Sequence, residues 1–278
     1  AGDPPRAAAA RRSTGRPTPR FPFQSGVNEA MKSRHLLVAA AAFLVSTGCN
    51  ADQSNQSSNG GSEPVAAVPP PEGCDWTKMV VKTPEGGFLM GNPDAKVKLV
   101  EYGSMTCPHC AEFAEASKAL VDNYVKSGNV SFEFRNYVRD PFDLTASLVA
   151  RCGGEQSFFP LTEAMFASQD EWFEKLQAVP QEQMQSIMTL GPQRQFLEIA
   201  KLAGFQQWAA QRGLPSARTT ACLTNEQDVN QLVQMNGDTT TQYPQFQGTP
   251  SFTINGEMLD RTASWEALEP QLREALGG

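Results

Sequence analysis

Cys107-Pro108-His109-Cys110 follows directly on an apolar run, Val97-Lys98-Leu99-Val100-Glu101-Tyr102, and opens a helix near Pro108. This strand-to-helix junction constrains the chain more than any other stretch. Thiols at i and i+3 on a first helical turn bring their Cα atoms to about 5–6 Å, within the span a disulfide tolerates. Cys107 would stand at the helix N-terminus, where unpaired N–H groups and the macrodipole favour an anion. The dipole alone is worth at most ~2 kcal/mol, roughly 1.5 pK units. A thiolate stable well below neutral pH therefore needs direct hydrogen bonds from the first-turn N–H groups and from the Cys110 thiol. A protonated His109 would add a favourable charge. A stabilised thiolate also leaves readily, so the oxidised pair should pass its disulfide on.

The same spacing begins many zinc knuckles. Against that use, the chain has two histidines, His35 and His109, and no second C-x-x-C. No metal and no cofactor is expected. His35 falls in a leader segment, so a Ser-His-Asp or separate Cys-His arrangement lacks its histidine.

Charge is unevenly spread. Residues 1–49 carry seven Lys/Arg and two Asp/Glu, which leaves 16 basic against 28 acidic residues, a net −12, for the rest. An acidic body without a basic cluster is a poor nucleic-acid binder. Residues 1–30 are rich in Ala, Arg and Pro and read as a disordered extension upstream of the true start. Met31 opens a leader of its own over 31–49: Lys32 and Arg34, the apolar core Leu36 to Val45, then Ser46-Thr47-Gly48-Cys49. That core is too short to span a bilayer and reads as a secretion signal. Cys49 after Gly48 resembles a lipobox, with Ser46 where leucine is usual, so Cys49 is a candidate for lipidation. Residues 50–73, polar and ending in Pro69-Pro70-Pro71, read as a disordered tether.

The folded part is expected over 74–278. Short strands are predicted at Met79–Lys82 and Gly87–Met90, and a strand at Val97–Tyr102. One helix is predicted from Pro108 to Gly128, with Phe113, Ala116, Leu120 and Tyr124 on its stripe. A strand follows at Val130–Arg135, completing a βαβ unit with the cysteine pair at the end of its first strand. Asp140-Pro141 starts a helix, with Asp as N-cap and Pro at N1. Helical periodicity then holds to about Asn236, giving an insertion over 141–237 with apolar anchors such as Leu148, Phe159, Trp172, Leu197 and Trp208. Ser251–Ile254, the turn Asn255-Gly256 and Glu257–Leu259 form a hairpin. A last helix carries Trp265, Leu268, Leu272 and Leu276, with Pro270 expected to kink it or delay its start. On local sequence alone the Thr249-Pro250 bond is expected to be trans.

These parts together resemble the DsbA family of thiol:disulfide oxidoreductases, from about Trp76 onward. The likeness rests on Pro108-His109 between the cysteines and on Gly248-Thr249-Pro250-Ser251-Phe252 before the final hairpin. It rests also on the 140 positions between Cys110 and Pro250. It implies an α/β thioredoxin-like fold with a helical insertion between a βαβ half and a ββα half. It further implies that Pro250 is cis and faces the cysteine pair, with Thr249 offering backbone hydrogen bonds to an extended substrate. Cys107 would attack and Cys110 would resolve, and Glu101 would match a buried carboxylate that relays a proton for Cys110. The family often has an acid seven positions after the first cysteine, where this chain has Ala114. The implied activity is disulfide donation to secreted proteins in the periplasm or another extracytoplasmic space, with a DsbB-like quinone-linked membrane protein as reoxidant. The rivals are an isomerase or reductase kept reduced, and a periplasmic module holding Cu(I) on Cys107 and Cys110. Cys152 and Cys222 both lie in the insertion, and in an oxidising compartment a disulfide between them is expected. Two buried free thiols are the alternative. Cys74 has no assigned partner.

Overall fold

A computed structural model describes residues 66–278. The expected extension 1–30, the leader 31–49 with Cys49, and the tether up to residue 65 lie outside the described residues.

Six strands form one sheet in the order β1-β2-β4-β3-β5-β6. They are β1 Val80–Lys82, β2 Phe88–Met90, β3 Val97–Gly103, β4 Val130–Asn136, β5 Ser251–Ile254 and β6 Glu257–Met258. β3 and β4 are parallel, from Val97 opposite Val130 to Gly103 opposite Asn136. β5 runs antiparallel to β3 on its other side, with Glu101 opposite Phe252. β3 is thus central and, apart from Lys98, buried along its whole length, as its nearly continuous apolar sequence demands. Alternation places Leu99 and Glu101 on the face that meets the main core, while Val100 and Tyr102 pack with Tyr243 on the other face.

Helix α1, Pro108–Ala116, starts with Cys107 as N-cap and Pro108 at its first turn. Proline suits that position because its missing N–H would be unpaired there anyway. The single long helix expected here is broken. α1 ends at Ser117, and a π turn, Leu120–Val125, carries the chain on. A π turn bonds i to i+5 and so shifts the buried face by about one residue relative to an α-helix. The buried residues are accordingly Phe113, Ser117, Leu120 and Val125, while Ala116 is exposed and Tyr124 only half-buried. Phe113 packs on Phe252 of β5 at a centroid distance of 4.6 Å, which seats α1 on the sheet.

Between β4 and β5 lie α2 Pro141–Arg151, α3 Phe158–Ala167, α4 Gln169–Gln177, α5 Gln181–Met188, α6 Pro192–Ala203, α7 Phe205–Ala210, α8 Ser216–Leu223 and α9 Glu226–Gln242. Asp140 caps α2 by accepting from the N–H groups of Phe142 and Asp143. α9 runs to Gln242, past the expected limit near 237, because Met235 and Thr239 continue its buried stripe. Leu197 and Trp208, read as anchors, are half-buried, and Phe196, Ile199 and Phe205 fill the core instead. The helices share the core of the sheet: Phe158 of α3 stacks on Phe88 at 4.0 Å, and Phe159 lies 5.6 Å from Phe132. α10, Trp265–Leu276, is capped by Ser264 and contains Pro270 in its interior, so its start is not delayed. Asn255 and Gly256 both have positive φ, as a tight hairpin turn requires.

The end of the expected tether lies against the folded body. The Val68 N–H donates to Ser127 O at 2.8 Å, and the Trp76 indole N–H donates to Val68 O at 2.8 Å. Gly128 permits that approach, since a side chain there would strike the Trp76 indole.

Candidate active site

Cys107 ends the loop after β3, and Cys110 lies within the first turn of α1. Both are free thiols, with Cys110 fully enclosed and Cys107 3% exposed. Across from them stands the Thr249–Pro250 bond, which is cis. The Cys107 Sγ lies 3.1 Å from the carbonyl oxygen of Thr249, to which its thiol form donates. The loop Gly248–Pro250 enters β5, the strand beside β3, so the sheet register brings together residues 142 positions apart.

The two thiols are electrostatically unlike. The Cys107 pKa falls to about 5, chiefly because the Cys110 thiol donates a hydrogen bond to its sulfur. Burial opposes that shift, while the Thr249 side chain and the backbone N–H groups of Cys110 and His109 add to it. Cys110 moves the other way, well above the ordinary thiol range, first through burial and then through its bond to Cys107 and the nearness of Glu101. Its sulfur accepts from the Ser104 N–H at 3.5 Å. Glu101 is 3% exposed, and burial followed by the Cys107 charge pushes its carboxyl up to about 8. At neutral pH Glu101 is therefore mostly a neutral acid close to the pair. His109 points to solvent, where its Nδ1 meets Glu112 Oε2 at 2.9 Å. That hydrogen bond, with the charge of Glu112, raises the imidazole pKa. His109 thus meets Cys107 through its backbone N–H and through charge.

The cysteine loop is also clamped from the helices. Asp143 of α2 is fully buried, and its carboxylate accepts from Ser104 Oγ, from the Met105 N–H at 2.8 Å and from the Arg139 N–H at 3.0 Å. Burial raises its pKa to about 6 against these bonds. Gln169 of α4 donates to the carbonyl oxygens of Met105 at 2.8 Å and Cys107 at 3.1 Å. Sequence reading singled out neither residue. Asp143 sits in a helix first turn, where an acid already has a local use. An isolated glutamine starting α4 gives no periodic signal.

Cys152 and Cys222 lie elsewhere, on the first residue after α2 and within α8. They are joined by a disulfide with Cα atoms 5.7 Å apart. Cys74 is exposed and free. Among the described residues no helix is long and apolar enough to cross a membrane.

A family model described as thioredoxin matches residues 83–274. The chain belongs to the thioredoxin family. Among solved structures it is similar to the protein-disulfide isomerase from Novosphingobium aromaticivorans. That protein is 36% identical with a TM-score of 0.65, over 68% of this chain and 97% of the other. The alpha-DsbA1 protein of Wolbachia pipientis shares the fold at 20% identity and a TM-score of 0.53, over 68% of this chain and 90% of the other. A Rickettsia bellii protein provisionally named a protein-disulfide oxidoreductase is 29% identical over 64% of this chain. This thioredoxin-family chain spans 61% of that relative's length. Its helices between β4 and β5 give it the DsbA-like form of the fold.

Proposed function

We propose that the protein is a thiol:disulfide oxidoreductase that donates the Cys107–Cys110 disulfide to reduced proteins outside the cytoplasm. One observation carries this reading: the outer sulfur is held as a thiolate to about pH 5, while the inner thiol is pushed the opposite way. Such an arrangement favours the dithiol form over the disulfide, so the oxidised pair is a strong donor. A substrate thiolate attacks Cys107 Sγ, and the Cys110 sulfur leaves and takes up a proton. Glu101, neutral below about pH 8, is the acid placed to give it. A second substrate thiolate then attacks the substrate sulfur of the mixed disulfide. Cys107 departs as the stabilised thiolate, and the substrate carries away its new disulfide. The Gly248–Pro250 loop beside Cys107 supplies backbone groups for an extended substrate segment, Thr249 foremost.

The leader over 31–49 and the disulfide within the helical segment both favour an oxidising, extracytoplasmic compartment. Acylation at Cys49 would tether the domain to a membrane surface. Reoxidation would fall to a quinone-linked membrane partner of the DsbB kind. Equilibrating the protein with defined glutathione buffers tests the direction. A pair that is mostly reduced in moderately oxidising buffer supports donation, and one that is already oxidised in strongly reducing buffer overturns it. The second reading, an isomerase kept reduced, is favoured by the name of the Novosphingobium relative. Scrambled-disulfide refolding with the reduced protein separates the two.

A further inference from the structure

An open cleft of about 960 Å³ separates α1 and the π turn from α3 and the start of α4. Its walls carry buried residues, Glu101 and Thr162 among them, and exposed ones, including Glu163, Glu115 and Lys118. Two buried polar atoms on these walls, Glu101 Oε1 and Thr162 Oγ1, have no hydrogen-bonding partner among the protein's own groups. Buried polar atoms are ordinarily satisfied by protein or by water. A cleft of this size, with orphaned oxygens on its walls, has both the room and the polarity to hold water. It therefore makes a wet route between bulk solvent and the carboxyl beside Cys110. Glu163 stands next to Thr162 on α3, at the solvent end of that route. Its surroundings are mixed: Glu115, Lys118, Asp122 and Asp170 line the same cleft, and Lys78 acts on it through charge. Although the residue is exposed as a whole, loss of water around its carboxyl raises the Glu163 pKa against the charges of Lys118 and Lys78.

The need for such a route follows from the reverse of the proposed donation, the step by which reoxidation re-forms the Cys107–Cys110 disulfide, and this inference rests on that exchange reading. When a mixed disulfide at Cys107 resolves, Cys110 Sγ bonds to Cys107 Sγ. The partner's sulfur leaves with the bonding pair as a thiolate, and the Cys110 proton passes to Glu101. Glu101 can accept it only as a carboxylate, so the proton it holds at neutral pH must depart first. We propose that Glu163 is the outer station of this proton path, exchanging the Glu101 proton with solvent through the cleft past the Thr162 hydroxyl. Glu163 acts through Glu101 and is a positioning and relay residue, with no contact to the reacting sulfurs.

The test uses the whole protein carrying glutathione on Cys107, with resolution followed by rapid quenching across a pH series. Glu163→Gln is expected to slow resolution about three- to tenfold near neutral pH, less than the roughly 10²–10⁴-fold of a group that transfers the proton directly, because Glu163 acts through Glu101. It should leave the Cys107 thiolate titration and the thermal midpoint unchanged, and added acetate should restore the rate. Thr162→Val should slow the step without acetate rescue, and Glu115→Gln should leave it unchanged. A Glu163→Gln protein that resolves at the wild-type rate overturns the relay. So does a slowed one that acetate does not restore or whose Cys107 titration has moved. If the unmodified protein forms no mixed disulfide with glutathione, the exchange reading itself fails, a result distinct from any of these.

Discussion

The molecule holds two cysteine pairs built to opposite ends. Cys107 and Cys110 lie three positions apart at a helix start, hydrogen-bonded in a way that stabilises a thiolate. Cys152 and Cys222 lie 70 positions apart in the helical segment and are bonded to one another. Their surroundings explain the contrast. The first pair has backbone N–H groups and a neutral carboxyl around it, and the Cys110 thiol donates to the Cys107 sulfur. The second has only the weak contacts of Cys152 Sγ with Arg218 O at 3.5 Å and of Cys222 Sγ with Cys152 O at 4.0 Å. A thiolate would be poorly solvated there. Spacing in the chain adds a second difference: linking sites 70 residues apart removes far more freedom from the unfolded chain than linking i to i+3.

The sharpest way to break this comparison is to delete one member of each pair. Cys107→Ser should lower disulfide transfer to a reduced peptide by at least about a thousandfold, as expected when the nucleophile is lost. The double variant Cys152→Ala, Cys222→Ala should stay within about threefold of the parent, since that pair takes no part in the exchange. Equal losses would place the chemistry wrongly. Next in size, Cys110→Ala should raise the Cys107 pKa by more than about one unit, because it removes the largest stabilising bond. Ultraviolet thiolate absorbance across a pH series reads this directly.

Stability should move in opposite directions for the two pairs. Removing the Cys152–Cys222 bond should cost about 2–4 kcal/mol in denaturant unfolding. Reducing the Cys107–Cys110 bond should instead stabilise the fold. The depressed Cys107 pKa makes this gain full above the ordinary thiol value of 9.0 and erodes it as pH falls toward about 5. Comparing oxidised and reduced midpoints across that window checks the sign. Smallest of all, Glu101→Gln should flatten a pH dependence. The native carboxyl stays protonated to about 8 while the unfolded one ionises near 4.5, so stability declines as pH rises between them. The variant should gain roughly 1–3 kcal/mol near pH 8, measured by the same unfolding curves.

The sheet and the cysteine junction were legible in the chain because strand alternation, Pro108 at a helix start, Asp140-Pro141 and Asn255-Gly256 each act locally. The π turn was not. Tyr124 fits an ordinary helical stripe as well as Val125 does, and only packing beneath the sheet selects the latter. Asp143 and Gln169 escaped for a related reason, since their bonds reach 38 and 64 positions back along the chain. The geometry of the Thr249–Pro250 bond is likewise settled by what lies opposite it. Local preference points to trans, the likeness to DsbA pointed to cis, and the bond is cis.

The central position of β3 has a consequence for how the protein is made. One flank of that strand is closed early by β4, but the other waits for residues 251–254, after the eight intervening helices among the described residues have emerged. Until residues 249–254 have left the ribosome, the nascent chain has Cys107 without the carbonyl that later faces it. Translation therefore finishes the reactive thiol's setting from the far end, and a chain stopped short would release the sulfur with its guard missing.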